Sequence, residues 1–118
     1  GLDDAALSVA YARASVFVWP SRLEGFGMPP LEMMLTGGAV ASSSAVCMPE
    51  ILGDAPAYFA PDDAGGLADA AQLLLRESPD ERANRGKRGR ERAESFTCRR
   101  MADETIAVWE SAARSHEP

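Results

Sequence analysis

Residues 15–35 read Ser-Val-Phe-Val-Trp-Pro-Ser-Arg-Leu-Glu-Gly-Phe-Gly-Met-Pro-Pro-Leu-Glu-Met-Met-Leu, and the reading of this stretch decides the fold. The apolar run Val16–Trp19 predicts a short buried strand, and Pro20–Met28 predicts a glycine-containing loop. A helix is expected from Pro29 or Pro30 onward. A strand that turns through glycines into a helix is the arrangement by which α/β domains offer backbone N–H groups to a phosphate. Two carboxylates, Glu24 and Glu32, bracket the turn with seven residues between them. Like charges repel, so neither can bind a phosphate itself. An ionised carboxylate only accepts hydrogen bonds, so its useful partners are neutral hydroxyls such as those of a sugar. Phosphate and sugar hydroxyls together point to a nucleotide-sugar as the ligand.

Outward from this stretch the chain alternates strands and helices. Asp3-Asp4 caps a first helix over about Ala5–Arg13, with Leu2, Ala6, Val9 and Ala10 near helical spacing. Gly37-Gly38 ends the helix that follows the loop. Ala39–Ser42 and Ala57–Ala60 predict two more strands, with a short helix between them opened by Pro49 and stopped by Gly53. Pro61-Asp62-Asp63 turns the chain into a helix from about Gly66 to Arg76, striped by Leu67, Ala70, Ala71, Leu74 and Leu75. Ser78-Pro79-Asp80-Glu81 starts a strongly charged helix to about Glu94. Thr97 caps a last helix in which Met101, Thr105, Val108, Trp109 and Ala112 share one face, and Ser115–Pro118 reads as a frayed tail. The order α-β-α-β-α-β-α-α-α predicts an α/β fold: a partial, Rossmann-like parallel sheet of about three strands flanked by helices, with C-terminal helices. The continuously apolar first strand is expected to be covered on both faces. Three strands make half of a doubly wound sheet, so the pattern reads as incomplete, with one sheet edge unpaired.

The chain has 118 residues, enough for one domain, and 46% apolar with 25% charged residues fits a folded chain. A net charge of −6 argues against a general nucleic-acid binder. No apolar run is long enough to span a bilayer, and no signal peptide is read. Cys47 and Cys98 lie far apart without zinc-site spacing, so both are expected as buried free thiols in a reducing, cytoplasmic setting. A single His, His116 in the tail, leaves no Ser-His-Asp, Cys-His or metal-ligand cluster to assemble, so neither a metal nor a cofactor is expected.

The run Pro20-Ser21-Arg22-Leu23-Glu24-Gly25-Phe26-Gly27-Met28-Pro29-Pro30-Leu31-Glu32 closely resembles the donor-site signature of retaining family 4 (group 1) glycosyltransferases of the GT-B fold. The likeness continues through Gly37–Ile51 with Met48-Pro49-Glu50, through Gly53-Asp54-Ala55 and Pro61-Asp62-Asp63, and to Ser95-Phe96-Thr97. It is nearly continuous from about Ala5 to Ala113. The resemblance implies that residues 1–118 are the second half of the C-terminal, nucleotide-sugar-binding domain of such an enzyme. It implies that Glu24 accepts hydrogen bonds from the donor sugar and that Gly25, Phe26 and Gly27 line that sugar with their N–H groups. Met28 would then face the diphosphate and Glu32 the ribose hydroxyls. It further implies transfer of a glycosyl group to an acceptor hydroxyl with retention. The basic pair and acceptor domain that such enzymes use are not in this stretch, so these residues alone are expected to be inactive. Ala39 stands where the family often has Pro, a strand-entry change with little chemical consequence. Arg22 is not promoted to replace the missing basic pair.

Simpler readings stand beside these. Glu32 can merely offset the helix dipole, Gly25 and Gly27 can be ordinary turn glycines, and Phe26 can anchor the loop on the core. Ser43 and Ser44 are left out of the site. Arg82, Arg85, Lys87, Arg88, Arg90 and Arg92 are interleaved with acids and lack aromatic neighbours, so they read as a solvated helix face rather than an RNA or DNA surface. Some family members work at membrane surfaces, which leaves peripheral membrane contact open for the intact protein. Two alternatives to the transferase remain. One is a non-catalytic α/β interaction module, self-associating as a homo-oligomer through the open sheet edge. The other is a related GT-B enzyme such as an epimerase or phosphorylase.

Overall fold

The structure is a computed structural model that describes residues 1–115; His116 and the tail beyond it lie outside the described residues. Three parallel strands, β1 (Phe17–Trp19), β2 (Val40–Ser43) and β3 (Ala57–Phe59), form one sheet in the order β1-β2-β3. Phe17 pairs with Val40 and Trp19 with Ser42, while Ala41 pairs with Ala57 and Ser43 with Phe59. Among the described residues there are six helices, α1 (Asp4–Arg13), α2 (Met28–Leu35), α3 (Met48–Leu52), α4 (Ala64–Leu75), α5 (Pro79–Glu94) and α6 (Cys98–Arg114). The expected order of elements is the observed one. The end of α2 explains its glycines: Gly37 takes φ +81, its N–H bonds the Met34 carbonyl, and the Gly38 N–H bonds the Met33 carbonyl. That pair of bonds is a Schellman ending, which satisfies two carbonyls the helix leaves open.

The sheet has a core on each face. Val40 of β2 packs with Leu31, Met33 and Met34 of α2, Met48 and Leu52 of α3, Ala55, and Ala93 of α5. Ala39 and Ala41 turn the other way, toward Phe59 and the Ala70 and Leu74 of α4. All four residues of β2 are buried, as expected of a central parallel strand covered on both sides. Its serines are buried too, and both find acceptors: Ser43 Oγ bonds the Ser21 carbonyl at 2.5 Å and Ser42 Oγ the Ser43 carbonyl at 3.0 Å. Ser43 thereby ties the end of β2 to the loop after β1.

Several expectations need correction. β1 is not covered on both faces: Val18 is exposed and Phe17 and Trp19 are half-buried. Among the described residues both outer strands, β1 and β3, lack a second neighbour, which leaves two open sheet edges rather than one. Of the first helical stripe Leu2, Val9 and Ala10 are exposed and Ala6 is half-buried; Leu7 and Tyr11 share the inward side with Ala6. Cys98 is an exposed free thiol and Cys47 a half-buried one. The basic residues of α5 are only in part a solvated face: Lys87, Arg88 and Arg90 are exposed, whereas Arg82, Arg85 and Arg92 are half-buried. Arg82 donates to the Leu74 carbonyl, Arg90 to that of Thr36, and Arg92 to those of Ile51 and Glu50, closing the C-terminal ends of α4, α2 and α3. Arg85 pairs with the buried Glu77 at 2.5 Å. The predicted capping box at Ser78 and Glu81 is present, and its hydrogen bonds hold the fully exposed Glu81 carboxyl below the usual range.

Candidate functional site

The stretch quoted first folds as a strand, a loop and a helix in direct succession. Gly27, the residue before α2, sits in the left-handed region at φ +88. A Cβ there would lie 2.6 Å from Met48 Cε, the end of a flexible side chain that would have to shift, so it is the left-handed backbone that demands glycine. Gly25 differs. It is exposed, its φ is ordinary, and a Cβ would meet nothing within 4 Å. The fold has no use for a glycine at that position.

The N–H groups of Gly25, Phe26, Gly27 and Met28 make no hydrogen bond within the chain among the described residues. A helix start leaves four N–H groups open, but here the second and third helical positions are Pro29 and Pro30, which have none. Gly27 and Met28 are therefore the donors the start of α2 can offer, continued backward by Phe26 and Gly25. The positive end of the helix dipole lies at the same place.

The two carboxylates have different surroundings. Glu24 is half-buried, its side chain makes no hydrogen bond or ion pair among the described residues, and its carbonyl lies 3.5 Å from Cys47 Sγ. Glu32 is half-buried on α2, and its Oε2 accepts a hydrogen bond of 3.0 Å from the Tyr11 hydroxyl. Phe26 packs edge-on against Phe96 at 5.3 Å with its plane at 90°, so it anchors the loop on the turn before α6. Phe26, Met28 and Glu32 line one groove of about 580 Å³, whose other wall is α6 with Met101, Thr105 and Val108. Glu24, Gly25 and Gly27 are not among the residues lining it. Its walls are mostly apolar, with Glu32, Arg100 and Glu104 the charged groups along it. Arg22 pairs with Asp62 at 2.5 Å, both exposed.

Two residues near the loop were missed in the sequence. Tyr11 is one; its spacing of four from Leu7 marks the inward face of α1 that the stripe Leu2, Ala6, Val9, Ala10 overlooked. Val46 is the other. It holds φ +49 in the turn before α3, one residue from the Cys47 that touches the Glu24 carbonyl. A β-branched residue is among the last expected there, and the strain costs about 1–3 kcal/mol. Among the described residues no group of three or more His, Cys, Asp and Glu is placed to hold a metal ion. No described helix is long and apolar enough to cross a membrane.

A parallel α/β sheet with a strand–glycine loop–helix unit defines a class of ligand-binding α/β domain. Within it, residues 1–92 match the family described as glycosyl transferases group 1, and the chain belongs to that family. An MMP alpha-(1->4)-mannosyltransferase of Mycolicibacterium hassiacum is 36% identical over 116 residues, covering 95% of this chain and 28% of the relative. O-antigen chain mannosyltransferase B of Escherichia coli is 36% identical over 109 residues, covering 92% and 28%. The sucrose-phosphate synthase of Thermosynechococcus elongatus superposes with a TM-score of 0.79 at 29% identity, over 97% of this chain and 29% of its own. The chain thus spans less than a third of the length of these relatives, and its fold is that of a GT-B fragment.

Proposed function

We propose that this chain is the nucleotide-sugar-binding part, residues 1–118, of an enzyme that transfers a mannosyl group from a nucleotide donor to an acceptor hydroxyl with retention of configuration. Family membership supports glycosyl transfer, and the names of the curated relatives support mannose as the sugar. The observation that carries the reading is the run of four N–H groups, Gly25 to Met28, with no acceptor among the described residues. Unpaired donors at a helix start favour a diphosphate, which carries its charge to where the dipole is positive. Gly25 supports close approach of a ligand, because the fold itself leaves room there for a side chain.

In this reading Glu24 accepts hydrogen bonds from sugar hydroxyls, Gly25, Phe26 and Gly27 line the sugar, Met28 faces the diphosphate and Glu32 holds the ribose. During transfer, negative charge grows on the diphosphate as the glycosidic bond breaks. Fixed N–H groups already aimed at it lower the barrier without reorganising. Phe26 keeps the loop in place through Phe96 as well as lining the sugar.

The test is transfer from nucleotide-linked mannose by the full-length protein and by Glu24→Ala. Wild type is expected to yield a product with the donor's anomeric configuration. The variant is expected to lose about 10²-fold in kcat/KM, the size of one lost transition-state contact. A Glu24→Ala protein as active as wild type, or a product of inverted configuration, would overturn the reading.

A further inference from the structure

The hydroxyl of Tyr11 meets the carboxylate of Glu32 across two helices, 21 positions apart in the chain, at 3.0 Å. The ring behind that hydroxyl is not loose. It lies edge-on to Phe17 at 5.7 Å and 62°, and Phe17 stacks on Trp19 at 5.8 Å and 16°. α1 thus presents one phenol, braced by two aromatic side chains of β1, to one oxygen of one carboxylate. Glu32 Oε1 makes no bond within the chain among the described residues, and no cation pairs with the group.

We propose that Tyr11 is a positioning residue for the donor nucleotide: by holding Glu32 Oε2 it fixes the carboxylate plane, so that Oε1 is presented to a ribose hydroxyl. The inference rests on the reading that Glu32 binds the ribose. An untethered glutamate samples several rotamers, and ordering it costs free energy each time a ligand binds. A hydrogen bond already made in the free protein removes that cost. The phenol suits the task because it is neutral: it donates to the carboxylate without cancelling the charge that makes Oε1 a strong acceptor. Burial, then the bond to Glu32 and its charge, raise the Tyr11 hydroxyl above its ordinary value, which keeps it protonated and able to donate. If the contact served only to dock α1, an apolar pair would do it without half-burying a carboxylate that has no cation beside it.

Tyr11→Phe tests this, because it keeps the ring and its packing on Phe17 and removes only the donor. Calorimetric titration of the full-length protein with uridine, guanosine and adenosine diphosphates identifies which one binds. That nucleotide and its 2′-deoxy and 3′-deoxy forms are then titrated into wild type, Tyr11→Phe, Glu32→Ala and the double variant. Tyr11→Phe is expected to weaken the ribonucleotide about tenfold, the scale of one hydrogen bond to a charged group. That loss should vanish in the Glu32→Ala background and with the deoxynucleotide lacking the hydroxyl that Glu32 accepts. A structural role alone would not produce that dependence on the ligand's hydroxyl. Unchanged affinity in Tyr11→Phe, or the same loss with and without Glu32, overturns the proposal while leaving Glu32 in the site. Unchanged affinity in Glu32→Ala removes Glu32 from the site, and the role of Tyr11 with it.

Discussion

Gly25 and Gly27 stand two positions apart and are glycine for different reasons. At Gly27 a side chain would strain a left-handed backbone and displace the end of Met48, so Gly27→Ala is expected to cost about 1–2 kcal/mol in urea unfolding. At Gly25 nothing crowds a Cβ, so Gly25→Ala should leave the unfolding midpoint unchanged or slightly raised, while weakening nucleotide-sugar binding about tenfold. Equal binding would make Gly25 an ordinary turn residue. Tyr58 carries a separate, titratable signature. Burial, with a smaller opposing effect from Arg92, pushes its hydroxyl up to about 12, and it donates to the Gly53 carbonyl at 2.6 Å. The folded protein then keeps this proton over a range where the unfolded chain, near 10, has released it. Stability from Tyr58 is therefore complete below pH 10 and is lost as the pH climbs from about 10 to 12. Unfolding measured across that range should show a decline that Tyr58→Phe reduces; an unaltered slope would place the cause elsewhere.

Among the elements, α5 does what its composition conceals. A helix this charged reads as a solvent face, and its capping box and limits were legible because Ser78, Pro79 and Glu81 act locally. Its packing was not legible, because it depends on residues far away in the chain. Gly86 lies so close to the turn after α2 that a Cβ would approach the Gly37 carbonyl oxygen at 2.6 Å. Its arginines reach the open carbonyls of three other helix ends, contacts that leave no local pattern. Two predictions follow from this geometry. Gly86→Ala gains about 1 kcal/mol of helix propensity but forces backbone atoms apart, so a net loss of about 1–2 kcal/mol is expected by chemical denaturation. Arg92→Ala removes the donors at Ile51 and Glu50 and the guanidinium 4.9 Å above Phe96, for an expected loss of about 1–3 kcal/mol. An Arg92→Ala protein as stable as wild type would return α5 to the solvated role its sequence suggested.

At the scale of the molecule, two cores grip one sheet from opposite faces while α6 stands apart from both. The radius of gyration is 17.1 Å and the longest dimension 61 Å, against about 13–14 Å for a compact chain of this length. Met101, Val108 and Trp109, which share one face of α6, are exposed. The sequence showed that α6 has an apolar face but not what that face meets, since periodicity records a preference for burial and not a partner. The succession of strands and helices along the chain, the strand–loop–helix unit and the family were legible because each is written in contiguous residues; the bond from Tyr11 to Glu32 was not, since it joins separate elements. The central claim is that main-chain donors from Gly25 to Met28 receive a sugar nucleotide, Gly25 to Gly27 along its sugar and Met28 at its diphosphate. Backbone amide NMR of the full-length protein, titrated with nucleotide-linked mannose, tests it most directly. Downfield proton shifts at Gly25, Phe26, Gly27 and Met28 that saturate together with binding are expected. Saturated binding with those four signals unmoved would contradict it.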